Sequence, residues 1–304
     1  MHRAASLLLV ATMLLLDGEA HAGACCISAS AFGVGRLAVW EDFALLLNTA
    51  GSPSMGRWDE YRAWHAESDG TSDTEWRASL AGIVAVHPRV QLWGKLPLLL
   101  TNKQITGLSE SGGGFGDAQA GARLEVLTTG QIEHLPAVAL NVGFTVPTGR
   151  ANQDTRKILA SDVTGRGVWV LSAGVTLEHV ELPWYVQLSA GVLVPLPQRN
   201  ESIGADQRLG AGLDGALAGG VELHEGLVVS LLLRANREAD QVVAGHAVIN
   251  SSAFDVGLGP TVSWEFVSHL TAQAGLDGAI FRTGFGDNRP GRVTASAGLR
   301  YGHF

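Results

Sequence analysis

The sequence predicts an all-β protein, namely a transmembrane antiparallel up-and-down β-barrel of about 12 strands. Three observations predict this fold. Apolar and polar residues alternate with a period of two over successive runs, which is the pattern of strands with one apolar face. The connections between the runs alternate between short and long, as turns and outer loops do in bacterial outer-membrane barrels. The polar face carries charges at mid-strand, which favours a hydrated interior.

The first 22 residues predict a signal peptide that is cleaved on export. Arg3 supplies a positive charge, residues 7–16 form an apolar stretch, and Ala20-His21-Ala22 fits a small-residue cleavage site. The apolar stretch is too short to cross a bilayer as a helix, which needs about 20 residues. We therefore expect a periplasmic N-terminal extension over residues 23–41 and an outer-membrane barrel over residues 42–304.

The composition supports this division. Hydrophobic residues make up 46% of the chain and charged residues 16%, with 39 glycines, and apolar residues spread thinly through such a chain fit strands that show one face to lipid. The net charge of −8 argues against a nucleic-acid partner. The expected partners are outer-membrane lipids, a small-molecule substrate and the barrel-assembly machinery, which reads a terminal aromatic residue such as Phe304. No cofactor or metal is expected.

The alternation is clear in the run from Asp117 to Leu127, where Ala122 and Leu124 share one face and Arg123 and Glu125 the other. Later runs with the same pattern cover residues 138–146, 184–194, 209–222, 254–265, 270–280 and 293–301. The alternative fold is a soluble β-sandwich, because its strands also have one buried face. Tryptophans beside short turns favour the membrane, where aromatic belts lie at the interfaces; these are Trp93, Trp184 and Trp264.

Counting runs from Phe43 gives twelve strands if residues 51–75 form the first outer loop. That stretch holds Trp58, Tyr61 and Trp64 among charges and would give fourteen strands if it contained two short ones. We prefer twelve, and an even number leaves both chain ends in the periplasm in either case.

Charged residues of both signs fall on the polar faces and are predicted to face the lumen. They are Lys95, Arg123, Glu125, Arg208, Asp214, Glu222, Arg234, Asp255, Glu265, Asp277 and Arg300. Such residues set the selectivity of a pore, or they form cross-strand ion pairs that fill a narrow barrel and stabilise it. We favour pairing for any single residue, because partly dehydrated charges need partners.

Six histidines fall in or beside short turns and are predicted to lie at the periplasmic rim: His87, His134, His179, His224, His269 and His303. Imidazole binds transition metals and titrates near neutral pH, so one hypothesis is a metal-collecting or pH-sensitive mouth. Neighbouring turns lie too far apart for six ligands to share one ion, and we favour the interpretation that each turn uses its histidine independently.

The adjacent Cys25 and Cys26 cannot close a long loop with each other. Cleavage before Cys25 would give a lipidated N-terminus, although Ala22 stands where leucine is usual; the alternative is a free or strained vicinal pair. The sequence contains no G-x-S-x-G, H-E-x-x-H or P-loop motif. We therefore do not expect an enzyme.

Three segments between residues 90 and 150 combine glycine, proline and aspartate at strand ends: Gly94-Lys-Leu-Pro-Leu, Gly114-Phe-Gly-Asp117, and Pro147-Thr-Gly149. Together they resemble the outer-membrane transporter family that is labelled as the meta-pathway phenol degradation protein. The resemblance implies an outer-membrane channel for passive diffusion of small hydrophobic or aromatic molecules. The sequence leaves open a second interpretation, a non-transporting structural or surface-binding barrel that acts through its outer loops.

Overall fold

Twelve antiparallel strands form the wall of a closed barrel in the structure, a computed structural model that describes residues 35–38, 40–132, 134–200 and 204–303. The strands are β1 (Phe43–Trp58), β2 (Ser72–His87), β3 (Val90–Ile105), β4 (Ala118–Leu127), β5 (Ala137–Val146), β6 (Val170–Glu181), β7 (Trp184–Pro195), β8 (Gly212–His224), β9 (Leu227–Glu238), β10 (Ala253–Val267), β11 (Leu270–Ala279) and β12 (Pro290–His303). The predicted fold class and the preferred strand number are both confirmed. The predicted signal peptide, the two cysteines and Phe304 lie outside the described residues.

The barrel closes between its first and last strands. Each strand pairs with the next along the chain, and β1 pairs with β12 from Phe43↔His303 to Arg57↔Pro290. Closure leaves no wall strand with an unpaired edge, which is the condition for a sheet to cross a bilayer. The described residues contain no helix with the length and apolar composition that a membrane crossing requires.

The two faces of the wall have opposite polarity. Val142 on β5 is 55% exposed, whereas its neighbour Asn141 is 5% exposed. Leu45 and Ala44 on β1 show the same contrast, with 50% and 0% exposed. The large apolar side chains therefore point away from the barrel axis, where lipid surrounds them, and the β-sandwich alternative, which needs them between two sheets, is excluded.

The connections differ strongly in length. One end of the barrel carries short turns over residues 88–89, 128–136, 182–183, 225–226 and 268–269. The other end carries six long loops, which we call L1 (59–71), L2 (106–117), L3 (147–169), L4 (196–211), L5 (239–252) and L6 (280–289). The short-turn end is the periplasmic one in barrels of this kind.

The first outer loop adds nothing to the wall. Residues 51–58 and 72–75, which the sequence placed in that loop, extend β1 and β2 instead. L1 holds one short strand, Trp64–Ala66, which pairs only with the end of β1. The wall therefore has twelve strands and not fourteen.

Two of the three tryptophans beside short turns point outwards. Trp184 is 63% and Trp264 38% exposed, as side chains of an interfacial belt are. The assignment of Trp93 to this belt is wrong, because its ring lies inside the barrel over Gly121 and Gly143. A Cβ atom at Gly121 would come within 2.6 Å of the Trp93 ring, so these glycines make the space into which the indole folds.

A charged substitution in the centre of β5 tests whether the outward apolar face lies in the lipid bilayer. Val142→Arg should destabilise the barrel in lipid vesicles by about 2–4 kcal/mol, because the charge is placed near the bilayer midplane. Leu223→Arg, which lies on the outer face beside the periplasmic turn after β8, should cost about 0–1 kcal/mol. Urea titration of folding into vesicles measures both, and equal costs would contradict this placement of the membrane.

Candidate functional site

The residues that precede β1 fill the lumen at its periplasmic end. The Arg36 guanidinium lies 2.8 Å from the Glu178 carboxylate on β6 and 4.0 Å from that of Glu125 on β4. Its backbone carbonyl accepts a hydrogen bond of 3.5 Å from Arg300 on β12. These partners point inwards from different sides of the wall, so Arg36 lies inside the barrel. Arg36, Leu37 and Glu41, which belong to the predicted periplasmic extension, therefore contact the inner wall of the barrel.

Arginines and glutamates in equal number form this periplasmic cluster: Arg36, Arg123, Arg300, Glu41, Glu125 and Glu178. Arg300 donates two hydrogen bonds to the carboxylate of Glu41, one of them 2.6 Å long. All six residues are buried. Breaking a buried pair by removing one partner costs about 3–5 kcal/mol, so the cluster holds the N-terminal segment firmly against the wall.

An apolar contact holds the same segment from the other side. Leu37 is 3% exposed and packs on the inner wall of β1 and β2, against Ala44, Leu46, Ala81 and Ile83, with Trp93 beside them. Its backbone N–H donates a hydrogen bond of 3.2 Å to the Gln91 side chain. The segment thus occupies the periplasmic half of the lumen and is held there by both charged and apolar contacts.

A cavity of about 260 Å³ with polar and apolar lining residues lies in the lumen beyond this segment. Its inward-facing lining side chains include Asn48, Ser79, Thr261, Ser263, Gln273, Ser296, Arg77 and Lys95. Arg77 pairs with Glu75 at 2.7 Å, and Lys95 has no ion-pair partner among the described residues. Hydroxyl and amide groups surrounding a cation can bind water or a small polar solute.

Ion pairs line the lumen towards the outer loops. Arg234 on β9 lies 2.5 Å from Asp255 on β10 and 2.5 Å from Asp277 on β11. Arg292 on β12 pairs with Asp73 on β2 at 2.7 Å across β1. These pairs join strands that are adjacent or separated by one strand, and their side chains occupy part of the outer half of the lumen.

The Gly-Asp and Pro-Thr-Gly segments meet in the structure and join L2 to L3. The Asp117 carboxylate accepts hydrogen bonds from the backbone N–H groups of Gly149 (2.9 Å) and Arg166 (2.6 Å), near the two ends of L3. The Thr148 hydroxyl donates a hydrogen bond of 2.8 Å to the Gly116 carbonyl. A Cβ atom at Gly165 would lie 2.2 Å from the Asp117 side chain, which explains the glycine at that position.

L3 is further ordered around Asp162. The Thr155 hydroxyl donates a hydrogen bond of 2.6 Å to its carboxylate, and the Arg150 guanidinium lies at 2.6 Å from it. These contacts, led by Thr155, hold the pKa of Asp162 well below its usual range. The contribution of this carboxylate to loop stability is therefore present at neutral pH and is lost only when strong acid protonates it.

A second cavity, of about 360 Å³, lies between the outer loops L3, L4 and L5. Amide side chains dominate its lining: Asn152, Gln153, Gln198, Asn200, Gln207 and Gln241, with Arg166 beside them. Asn200 donates a hydrogen bond to Gln207 (2.8 Å), which donates one to Gln241 (3.3 Å). This cavity could hold a polar ligand at the outer surface.

The structure places ten of the eleven candidate lumen charges on the inward face of a wall strand. The assignment of Arg208 to the lumen is wrong, because it ends the short strand Ala205–Arg208 in L4 and is exposed. Arg123, Glu125, Arg234, Asp255, Asp277 and Arg300 are ion-paired. The other four, Lys95, Asp214, Glu222 and Glu265, have no ion-pair partner among the described residues. Glu222 and Glu265 instead accept hydrogen bonds from the backbone N–H groups of Gly226 and His269.

Sequence reasoning missed seven charged groups of the lumen: Arg36, Glu41, Asp73, Glu75, Arg77, Glu178 and Arg292. Glu178, Asp73 and Arg292 follow the same two-residue alternation, so a wider reading of the pattern would have found them. Arg36 and Glu41 precede the first strand, where no periodic pattern assigns a face.

All six candidate rim histidines lie at the periplasmic end. His87, His224 and His303 end strands, His134 and His269 lie in turns, and His179 lies near the end of β6. His303 packs on the Phe43 ring at 5.0 Å, and His179 lies 3.6 Å from Glu181. Within the described part of the chain, no group of three or more metal-ligating side chains could hold an ion.

The closure by the N-terminal segment is testable by cysteine labelling. In a chain with Cys25→Ser and Cys26→Ser, the buried Ala38→Cys thiol should be protected from a membrane-impermeant maleimide. Adding Glu178→Gln removes a buried partner of Arg36 at a cost of about 3–5 kcal/mol and should therefore speed labelling by a factor on the order of 10² to 10³. Glu181→Gln on the same strand is the control and should leave the rate unchanged; equal rates in both variants would show that the cluster does not hold the segment.

The fold is similar to that of a crystallised outer membrane channel from Pseudomonas putida F1, with a TM-score of 0.69 and 16% sequence identity over 86% of this chain and 95% of that chain. The translocator domain of the autotransporter NalP from Neisseria meningitidis matches with a TM-score of 0.47, 11% identity, and coverage of 99% and 94%. The NanC porin matches with a TM-score of 0.48, 8% identity, and coverage of 84% and 98%. No curated protein matches the sequence.

The chain is therefore an outer-membrane β-barrel, and its sequence also assigns it to a protein family. One family model matches residues 64–297, which include the three segments that join or precede L2 and L3. On this match, the chain belongs to the family described as "Putative MetA-pathway of phenol degradation".

Proposed function

We propose that the barrel is a channel for passive diffusion of small hydrophobic or aromatic molecules across the outer membrane. The observation that carries this proposal is the cavity of about 260 Å³ inside the closed barrel. A barrel with a purely structural role needs only a filled interior. The family description, which names phenol degradation, supports an aromatic substrate.

The periplasmic closure makes the channel narrow and gated. A solute in the cavity leaves towards the periplasm only when the segment around Arg36 and Leu37 moves aside. We therefore expect small steps or none in bulk-ion conductance, and flux that is set by how often the segment moves. Large open-porin steps from the parent protein would contradict this.

A large side chain on the inward face of β2 should block the cavity. Ser79 lines the cavity, so Ser79→Trp should fill most of it and reduce uptake of a small aromatic solute by liposomes to the level of empty liposomes. Ala78→Trp adds the same side chain to the lipid-facing side of β2 and should leave uptake near the parent level. Uptake is measured at equal amounts of folded protein, which is checked by heat-modifiable migration in gels.

Two results would overturn the channel. If the parent gives no uptake above empty liposomes, the barrel does not transport such solutes. If Ser79→Trp and Ala78→Trp behave alike, the solute does not pass through this cavity.

The second candidate function is binding at the outer surface without transport, and the amide-lined cavity between L3, L4 and L5 favours it. In that case, the unsubstituted protein would give no uptake into liposomes but would still bind a polar ligand. Gln198→Ala would weaken that binding, because Gln198 lines this outer cavity.

A further inference from the structure

The cavity in the middle of the lumen has an uncompensated positive charge. Lys95 projects from β3 on the inward side of the wall, where Gln91 and Thr101 on the same face are buried. It lines the cavity together with Arg77. Arg77 is paired with Glu75 at 2.7 Å, but no carboxylate of the described residues pairs with Lys95.

The remaining lining is neutral and combines polar side chains with apolar ones such as Leu232. Asn48, Ser79, Thr261 and Gln273 supply hydroxyl and amide groups, which can donate hydrogen bonds to an anion. No aspartate or glutamate lines the cavity. A partly dehydrated ammonium group without a partner is costly, and an anion in the cavity would supply that partner.

Charges elsewhere in the lumen do not cancel this one. The periplasmic cluster balances three arginines with three glutamates. Three arginines and three carboxylates balance in the network around Arg234, which consists of Arg166, Arg234, Arg289, Glu238, Asp255 and Asp277. Asp214, Glu222 and Glu265 have no ion-pair partner among the described residues, but none of them lines the cavity. Although the whole chain carries a net charge of −8, the unpaired charge in the wall of this cavity is therefore that of Lys95.

From this arrangement, we infer that the cavity is an anion-binding selectivity site, and that the solute it passes is a small organic monoanion such as an aromatic acid. Lys95 is the residue that determines selectivity, and the surrounding hydroxyl and amide groups replace part of the water around the anion. The volume of about 260 Å³ is of the size that one ring with one acidic group needs. This inference rests on the proposed channel function and deepens it.

The test compares two probes of matched size that do not cross lipid unaided. Benzenesulfonate is a permanent monoanion, and trimethylanilinium is a permanent monocation. Liposomes containing the full mature chain should take up the anion at least about tenfold faster than the cation, the ratio that one charge a few ångströms away produces in a partly hydrated site. The same preference for anions should appear as an anion-selective reversal potential in a KCl gradient.

Three variants assign the effect to Lys95. Lys95→Met should abolish the preference for benzenesulfonate, and Lys95→Arg should retain it. Lys95→Glu should reverse it. Lys157→Met removes the same charge from L3 and should leave the preference unchanged, so it is the control for a general change in charge.

The outcomes separate this inference from the channel itself. Equal uptake of both probes by the parent, or a preference that survives in Lys95→Met, would overturn the anion site and leave the channel standing. If neither probe enters but a neutral aromatic solute does, the anion site is again overturned and the channel stands. If no solute enters above empty liposomes, the proposed function fails, and the inference fails with it.

Discussion

The structure depends on one constraint, that every backbone N–H and C=O group within lipid must find a partner in the protein. A sheet satisfies it only by closing on itself, and here closure is made by the pairing of β1 with β12. Once the barrel is closed, successive side chains must alternate between lipid and lumen. The apolar stripe that reads as a hydrophobic core in a soluble protein becomes the outer surface, and the polar stripe becomes the interior. The two-residue period of the sequence is a direct consequence of this geometry.

A polar interior creates a second demand, because partly dehydrated charges need partners or water. At the outer end the wall meets this demand itself, by cross-strand pairs such as Arg234 with Asp255. At the periplasmic end the wall strands present Glu125 and Glu178 close together, and the wall residue Arg123 contacts only the first of them. Arg36 supplies the missing charge from outside the wall. The N-terminal segment is thus bound because its Arg36 neutralises a carboxylate that the wall leaves without an ion pair. Its position in the lumen therefore depends on electrostatic interactions as well as on packing.

Much of this arrangement could be predicted from the sequence, since alternation fixes both the strand positions and the face of each residue. The failures have physical reasons. Arg208 continues the alternation of the run before β8, but the chain at that point forms a short strand in L4, and local pattern does not distinguish a wall strand from a loop strand. Trp93 lies near a turn. Nearness to a turn indicates how deep a residue lies in the membrane, but it does not indicate whether its side chain points to the lipid or to the lumen. Arg36 has partners on distant strands, and no local pattern contains that information. The contact of Asp117 with Gly149 and Arg166 is likewise long-range.

The cavity lining and the family description indicate different properties of the solute. An aromatic ring is apolar, whereas many inward side chains at mid-lumen carry hydroxyl, amide or cationic groups. A purely hydrophobic molecule would have to displace the water on these groups without replacing its hydrogen bonds. A molecule with a ring and an acidic group avoids this loss, because its charge binds at Lys95 while its ring occupies the rest of the space. Leu232 also lines the cavity and offers an apolar surface for that ring. A small aromatic acid therefore fits both the cavity lining and the family description, and the unpaired Lys95 is the residue that favours such an acid over neutral aromatic molecules.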